Sequence, residues 1–157
     1  MKVSTFSLKD LYPVIKNVLD LGGEFKMISS GTSMKPMLRD RQDTIVLIKP
    51  GRKLKKYDIP FYRRDNGDFV LHRIIGFNDD GYVMCGDNQF FKETGITDKH
   101  VVALLKGFIR DGKYISCDSF SFKCYSVFWD KTRPIRYFYR RCKQKLKCLV
   151  RYFFEKK

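Results

Sequence analysis

Apolar residues recur every three or four positions between Ser7 and Leu21, at Leu11, Val14, Ile15, Val18 and Leu21, and Gly22-Gly23 follows at once. That spacing predicts a helix, and the glycine pair predicts its end. From Glu24 onward the pattern shortens. Glu24–Ser30 and the β-branched run Thr44–Ile48 read as strands, as do Ile59–Arg63, Phe69–Ile75, Tyr82–Cys85, Val101–Arg110 and Lys113–Cys117. Asn66-Gly67, Asp80-Gly81 and Asp111-Gly112 fall between such runs, and these dipeptides favour the primed turns that close hairpins. Short strands with frequent turns predict a mainly β, compact, antiparallel, barrel-like fold. The helical period returns after Pro134, through Ile135, Phe138, Cys142, Leu146, Leu149 and Phe153, with Arg136, Arg140, Lys143, Lys147 and Arg151 largely opposite. A basic amphipathic helix is expected over 134–154, with Pro134 in its first turn. The chain thus divides into an N-terminal helix (1–23), a β domain (24–117), an aromatic connector (118–133) and the basic helix (134–157).

Composition changes the picture in three places. The 43% apolar and 15% aromatic content suits one folded domain of 157 residues. No stretch reaches the ~18 apolar residues of a membrane span, and the first 25 residues lack the apolar core of a secretory signal. The net charge of +15 is concentrated at one end, since residues 131–157 hold 11 Lys or Arg against a single Glu. Aromatic residues flank that segment on both sides, at Tyr137-Phe138-Tyr139 and Tyr152-Phe153-Phe154. Two uses are expected for it: packing its stripe on the domain, or lying on an anionic membrane surface. Nucleic acid is disfavoured because no nucleic-acid-binding motif accompanies the charge. The helix reads as separable, so truncation after Trp129 should leave a working domain. Five cysteines, at 85, 117, 124, 142 and 148, form no Cys-x-x-Cys pair and no zinc-ligand spacing. Reduced thiols in a cytoplasmic compartment follow, and neither a metal nor another cofactor is expected. Cys85 is expected to pack under the sheet.

Three polar residues stand out against this background. Ser33 lies in Ser30-Gly31-Thr32-Ser33-Met34-Lys35-Pro36-Met37-Leu38, His72 in Leu71-His72-Arg73-Ile74-Ile75-Gly76, and Asp87 in Gly86-Asp87-Asn88. A hydroxyl, an imidazole and a carboxylate are the minimum set for acyl transfer to serine. Each has a plainer reading: a turn serine, a core histidine, and an Asp that bonds its own backbone in a turn. Met34 should anchor the turn and Pro36 stiffen it. A continuous strand over 69–75 would put residues 70, 72 and 74 on one face, with His72 between Val70 and Ile74. Burial there keeps an imidazole neutral, as a general base must be. His100 has no such context, and Asp43 and Asp58 read as structural.

The order and wording of these boxes resemble the serine peptidase superfamily of type I signal peptidases and self-cleaving SOS repressors. Ser33-Met34-Lys35-Pro36-Met37-Leu38 resembles its nucleophile box. Tyr57-Asp58-Ile59-Pro60-Phe61-Tyr62 resembles its Gly-Asp-Ile-Val strand, with Tyr57 in the glycine position, and Gly86-Asp87-Asn88 resembles its Gly-Asp-Asn box. The likeness covers residues 24–110. Histidine in place of the commoner lysine base resembles the endoplasmic-reticulum-type branch. In that branch a carboxylate supports the histidine, and Asp87 or, six residues on, Glu93 matches it. Gly31 stands where some members carry a serine for the oxyanion hole, which leaves the Ser33 N–H with Ser30 or Thr32 as helpers. The resemblance implies a serine endopeptidase that cleaves an extended peptide or leader segment, in the cytoplasm or at the inner membrane face. The repressor version fits less well, since the 32 residues before Ser33 contain no Ala-Gly cut site. The competing expectation is a non-catalytic peptide-binding or membrane-surface module on the same fold.

Overall fold

The structure, a computed structural model, describes residues 8–154, without the side chains of residues 149 and 152–154. Ser7 of the expected first helix and the Leu149 and Phe153 side chains of the expected stripe lie outside the described residues. Helix α1 (Leu8–Asp20) buries Ile15 and Leu19 and rests Leu8 and Leu11 on the same core. Val14 and Leu21, expected in that stripe, point to solvent. Gly22 ends the helix at φ +79, a left-handed conformation that costs glycine little.

Among the described residues nine strands follow: β1 (Phe25–Ile28), β2 (Thr44–Ile48), β3 (Pro60–Arg63), β4 (Phe69–Leu71), β5 (Arg73–Asn78), β6 (Gly81–Cys85), β7 (Glu93–Ile96), β8 (Val101–Arg110) and β9 (Lys113–Ser116). Six form an antiparallel sheet in the order β1-β2-β8-β3-β4, with β9 also on β8. This sheet curls into a half-barrel. The long β8 is its spine: β2 pairs along one edge, while β3 and then β9 share the other. β5, β6 and β7 make a second, three-stranded sheet. The β8–β9 turn has Asp111 at φ +49 and Gly112 at φ +76, the pair of positive angles that a primed turn requires.

Three expectations are corrected. The strand expected over 69–75 breaks at His72, because β4 pairs with β3 in the first sheet whereas β5 pairs with β6 in the second. The expected connector 118–133 contains helix α2 (Phe120–Lys131), capped by Ser119, whose Oγ accepts the Phe122 N–H at 3.3 Å. Helix α3 (Arg133–Phe154) follows at once. Strand makes up about 31% of the described residues, and helices of 13, 12 and 22 residues match it, so the fold is mixed α and β rather than mainly β.

Two apolar clusters divide the interior. One joins α1, β2, β3, β8 and α2 through Ile15, Leu47, Phe61, Leu105 and Phe122, and takes in Met34, Met37 and Leu38. The other, around Tyr62, Ile74, Met84 and Leu104, joins the two sheets. His72 sits where the chain passes from one sheet to the other.

Candidate active site

The segment between β1 and β2 carries Ser33, and it is pinned at its feet. Ser29 N–H donates to the Asp43 carbonyl at 2.9 Å, and Arg41 N–H donates to the Ser29 carbonyl at 2.8 Å. The Asp43 carboxylate is fully buried and accepts from Arg39 N at 2.8 Å and Arg110 Nη2 at 2.6 Å, a structural role as expected. Met34, Met37 and Leu38 plug the turn into the core, while Ser33 stays half-buried. Asp58 is likewise structural, accepting both Arg52 guanidinium nitrogens. Tyr57 beside it holds φ +76, a left-handed conformation that favours glycine.

The loop after β6 fastens the Ser33 turn from above. Asn88 N–H donates to the Ser33 carbonyl at 2.8 Å, and Asn88 Nδ2 to the Thr32 carbonyl at 3.2 Å. A Cβ on Gly86 would come within 2.7 Å of the Ser33 carbonyl oxygen, so only glycine permits the approach. The Gly-Asp-Asn box is thus a clasp on the Ser33 turn.

His72 is 4% exposed. Its Nδ1 lies 3.2 Å from Tyr62 Oη and 3.7 Å from Glu93 Oε2. Tyr62 has one proton, and its 2.7 Å contact with Glu93 Oε2 takes it. The phenol oxygen can then accept from His72 Nδ1–H, which leaves the lone pair on Nε2. Among the described residues Nε2 has no hydrogen-bond partner. Burial lowers the His72 pKa to about 4, against the opposing pull of Glu93. The ring is therefore neutral at ordinary pH, with its basic nitrogen available.

The two candidate carboxylates do different things. Asp87 is fully buried and receives a two-pronged contact from the buried Arg73, Nε to Oδ1 and Nη2 to Oδ2 at 2.8 Å each, plus Tyr125 Oη at 3.1 Å. It makes no hydrogen bond to His72, which corrects the expectation that Asp87 orients the imidazole. Glu93, at the start of β7, reaches His72 through Tyr62 and is gripped by Arg64 at 2.6 and 2.7 Å. Burial pushes the Glu93 carboxyl up, but Arg64 and Tyr62 outweigh it and hold the group below its ordinary range. Burial, reinforced by Glu93, pushes the Tyr62 phenol up, so it stays protonated.

Ser33 and His72 line one cavity of about 280 Å³, together with Ser29, Ser30, Gly31 and Gln89. Met27 of β1 and Phe69, Val70 and Leu71 of β4 also line it, and these two strands are the outer edges of the half-barrel. No hydrogen bond joins Ser33 Oγ to His72 among the described residues. The Ser33 N–H has no acceptor among them either, as an oxyanion donor requires. Ser30 lines the cavity; Thr32 does not, and its carbonyl is taken by Lys35 N–H and Asn88. His100 lies elsewhere, bonded to Thr97 and Asp65.

Sequence reasoning missed Tyr62, Arg64 and the helical clamp. Trp129 Nε1 donates to the Asp87 carbonyl at 2.8 Å. Arg133 Nη1 reaches the Gly86 carbonyl at 3.2 Å, the Gln89 carbonyl at 2.8 Å and Cys85 Sγ at 2.8 Å. Arg136 and Arg140 reach the Asp87 and Asn88 carbonyls at 3.2 Å. The carbonyls of residues 86–89 are thus held by α2 and α3, and the helix expected to be separable is part of the site's frame. Among the described residues of its apolar stripe, Ile135 is 71%, Phe138 70% and Leu146 62% exposed, so they do not pack on the domain. Among the described residues no helix is long and apolar enough to cross a membrane. No protein-family model matches the chain, and comparison with curated proteins gives no match.

Proposed function

We propose that the chain is a serine endopeptidase of the signal-peptidase type. One observation carries the reading: a serine and a buried, neutral histidine line the same cavity, with Nδ1 of the histidine engaged toward a carboxylate. Ser33 Oγ attacks the scissile carbonyl and passes its proton to His72 Nε2. The imidazolium returns that proton to the leaving amine, and a water repeats the sequence to release the acyl group. Glu93 stabilises the imidazolium through Tyr62, and Asp87 holds the loop that clasps Ser33. The Ser33 N–H donates to the oxyanion, with Ser30 the nearer helper of the two expected. The half-barrel presents two strand edges at the cavity that have no partner strand among the described residues, so an extended peptide pairs along them as an added strand.

The test is labelling of the purified chain with an alkyl fluorophosphonate. Label on the native protein and none on Ser33→Ala, with His72→Ala labelling far more slowly, is the expected result. A folded native chain that takes no label points instead to the non-catalytic peptide-binding module. A second proposal, attachment of α3 to an anionic membrane surface, is supported by the outward turn of Ile135, Phe138 and Leu146 between basic residues.

A further inference from the structure

We propose that the groove between α3 and the loop after β6 binds an acidic flank of the peptide, a use that rests on the peptidase reading of the neighbouring cavity. The groove has a volume of about 820 Å³ and is walled by Phe90, Lys92, Tyr137, Arg140, Arg141 and Gln144. It shares Arg64 and Gln89 with the cavity that holds Ser33 and His72. An extended peptide lying past Ser33 therefore meets the groove next.

Its charge is one-sided. Arg64, Lys92, Arg140 and Arg141 line it against a single carboxylate, Glu93, which is committed to Arg64. Among the described residues Lys92, Arg140 and Arg141 form no ion pair. The two arginines are held in place by aromatic rings, Arg140 5.6 Å from the Phe90 centroid and Arg141 5.7 Å from that of Tyr137. The two rings lie 5.1 Å apart. Guanidinium groups positioned on aromatic faces present a fork suited to carboxylates, with apolar ring surface beside it for the peptide chain. An anionic lipid surface would meet the convex side of α3 rather than this concavity. Nucleic acid offers no reason for the groove to share its wall with a serine and a histidine.

The experiment uses full-length Ser33→Ala protein and calorimetry with three peptides. All have an alanine-rich half; the other half is a run of Glu, Gln or Lys. The Glu peptide should bind about tenfold more tightly than the Gln peptide, from a few partly exposed ion pairs. The Lys peptide should bind most weakly, and the differences should shrink in high salt. Adding Lys92→Glu and Arg141→Glu, both at exposed positions, should erase the preference. Equal affinity for the Glu and Gln peptides overturns the proposal, as does a preference that survives the double substitution. Tighter binding of an oligothymidylate than of the Glu peptide also overturns it. Fluorophosphonate labelling of the native chain separates this idea from the peptidase reading: label without acidic preference sinks the groove alone, and acidic preference without label sinks the peptidase reading alone.

Discussion

Asp87 and Glu93 are carboxylates near the same histidine, and their surroundings assign them different work. Asp87→Asn leaves the buried Arg73 without a charged partner, and breaking a buried pair of this kind costs about 3–5 kcal/mol. Its signature should be a large fall in the urea midpoint. Glu93→Gln acts at a half-buried site and should lower kcat by roughly 10²-fold or more while KM and the midpoint change little. A stable but inactive Asp87→Asn protein would reverse these assignments. The His72 environment makes a second prediction. A base works deprotonated, so kcat/KM should stay level down the acid side and fall as pH drops through about 4, rather than through 6.5. An acid limb between pH 6 and 7 would mean that His72 is not buried as described or is not the base. Stability follows the same sign: the unfolded chain gains a proton that the folded chain resists, so stability is lost on acidification between pH 6.5 and 4.

Helices α2 and α3 act on the site through the four carbonyls of residues 86–89. Truncation after Trp129 removes Arg133, Arg136 and Arg140 together and should lower kcat/KM for a short soluble peptide. Misplacement of a catalytic turn by about 1 Å can cost roughly 10²-fold. Truncation after Gln144 keeps every one of these donors and should retain that rate. If the shorter chain works as well as the longer, the clamp has no part in positioning Ser33. This consequence was not legible in the sequence, where basic residues opposite an apolar stripe read as solvated. The hairpins were legible because their turn residues are local signals, although only Asp111-Gly112 has the two positive φ angles of the expected primed turn, and at Asn66-Gly67 and Asp80-Gly81 the glycine alone is positive. The break at His72 was not, because the alternation runs on through Phe69–Ile75 and only pairing with different partner strands divides it. α2 hid behind aromatic residues of modest helix propensity, although Ser119 ahead of Phe120, and Phe122, Tyr125 and Trp129 at helical spacing, carried the signal. Ser33 and His72, which line one cavity, and Glu93, which reaches His72 through Tyr62, were singled out as candidates through their motifs. Tyr62 closes the strand box that begins at Tyr57 but had no role there, since a tyrosine in an apolar strand reads as core.

At the scale of the whole molecule, two features that a folded chain usually conceals are left open. Among the described residues both strand edges of the half-barrel at the cavity are unpaired, a hazard for aggregation unless a partner strand is meant to fill them. α3 turns Ile135, Phe138 and Leu146 outward while its first turns grip the candidate site, so a surface holding the stripe would hold that site at a set distance from it. The intact protein should therefore sediment with vesicles containing anionic lipid, each basic residue near the surface adding about 1 kcal/mol. High salt should weaken this binding without removing it, since the Debye length falls from about 10 Å at 0.1 M to about 3 Å at 1 M while the apolar contribution persists. Phe138→Ser with Leu146→Ser, at exposed positions, should leave the melting temperature unchanged and make the remaining binding fully salt-sensitive. Equal sedimentation with neutral and anionic vesicles would remove the electrostatic half of the argument. Unchanged binding by the double variant would remove the apolar half, and the outward stripe would then need a different partner.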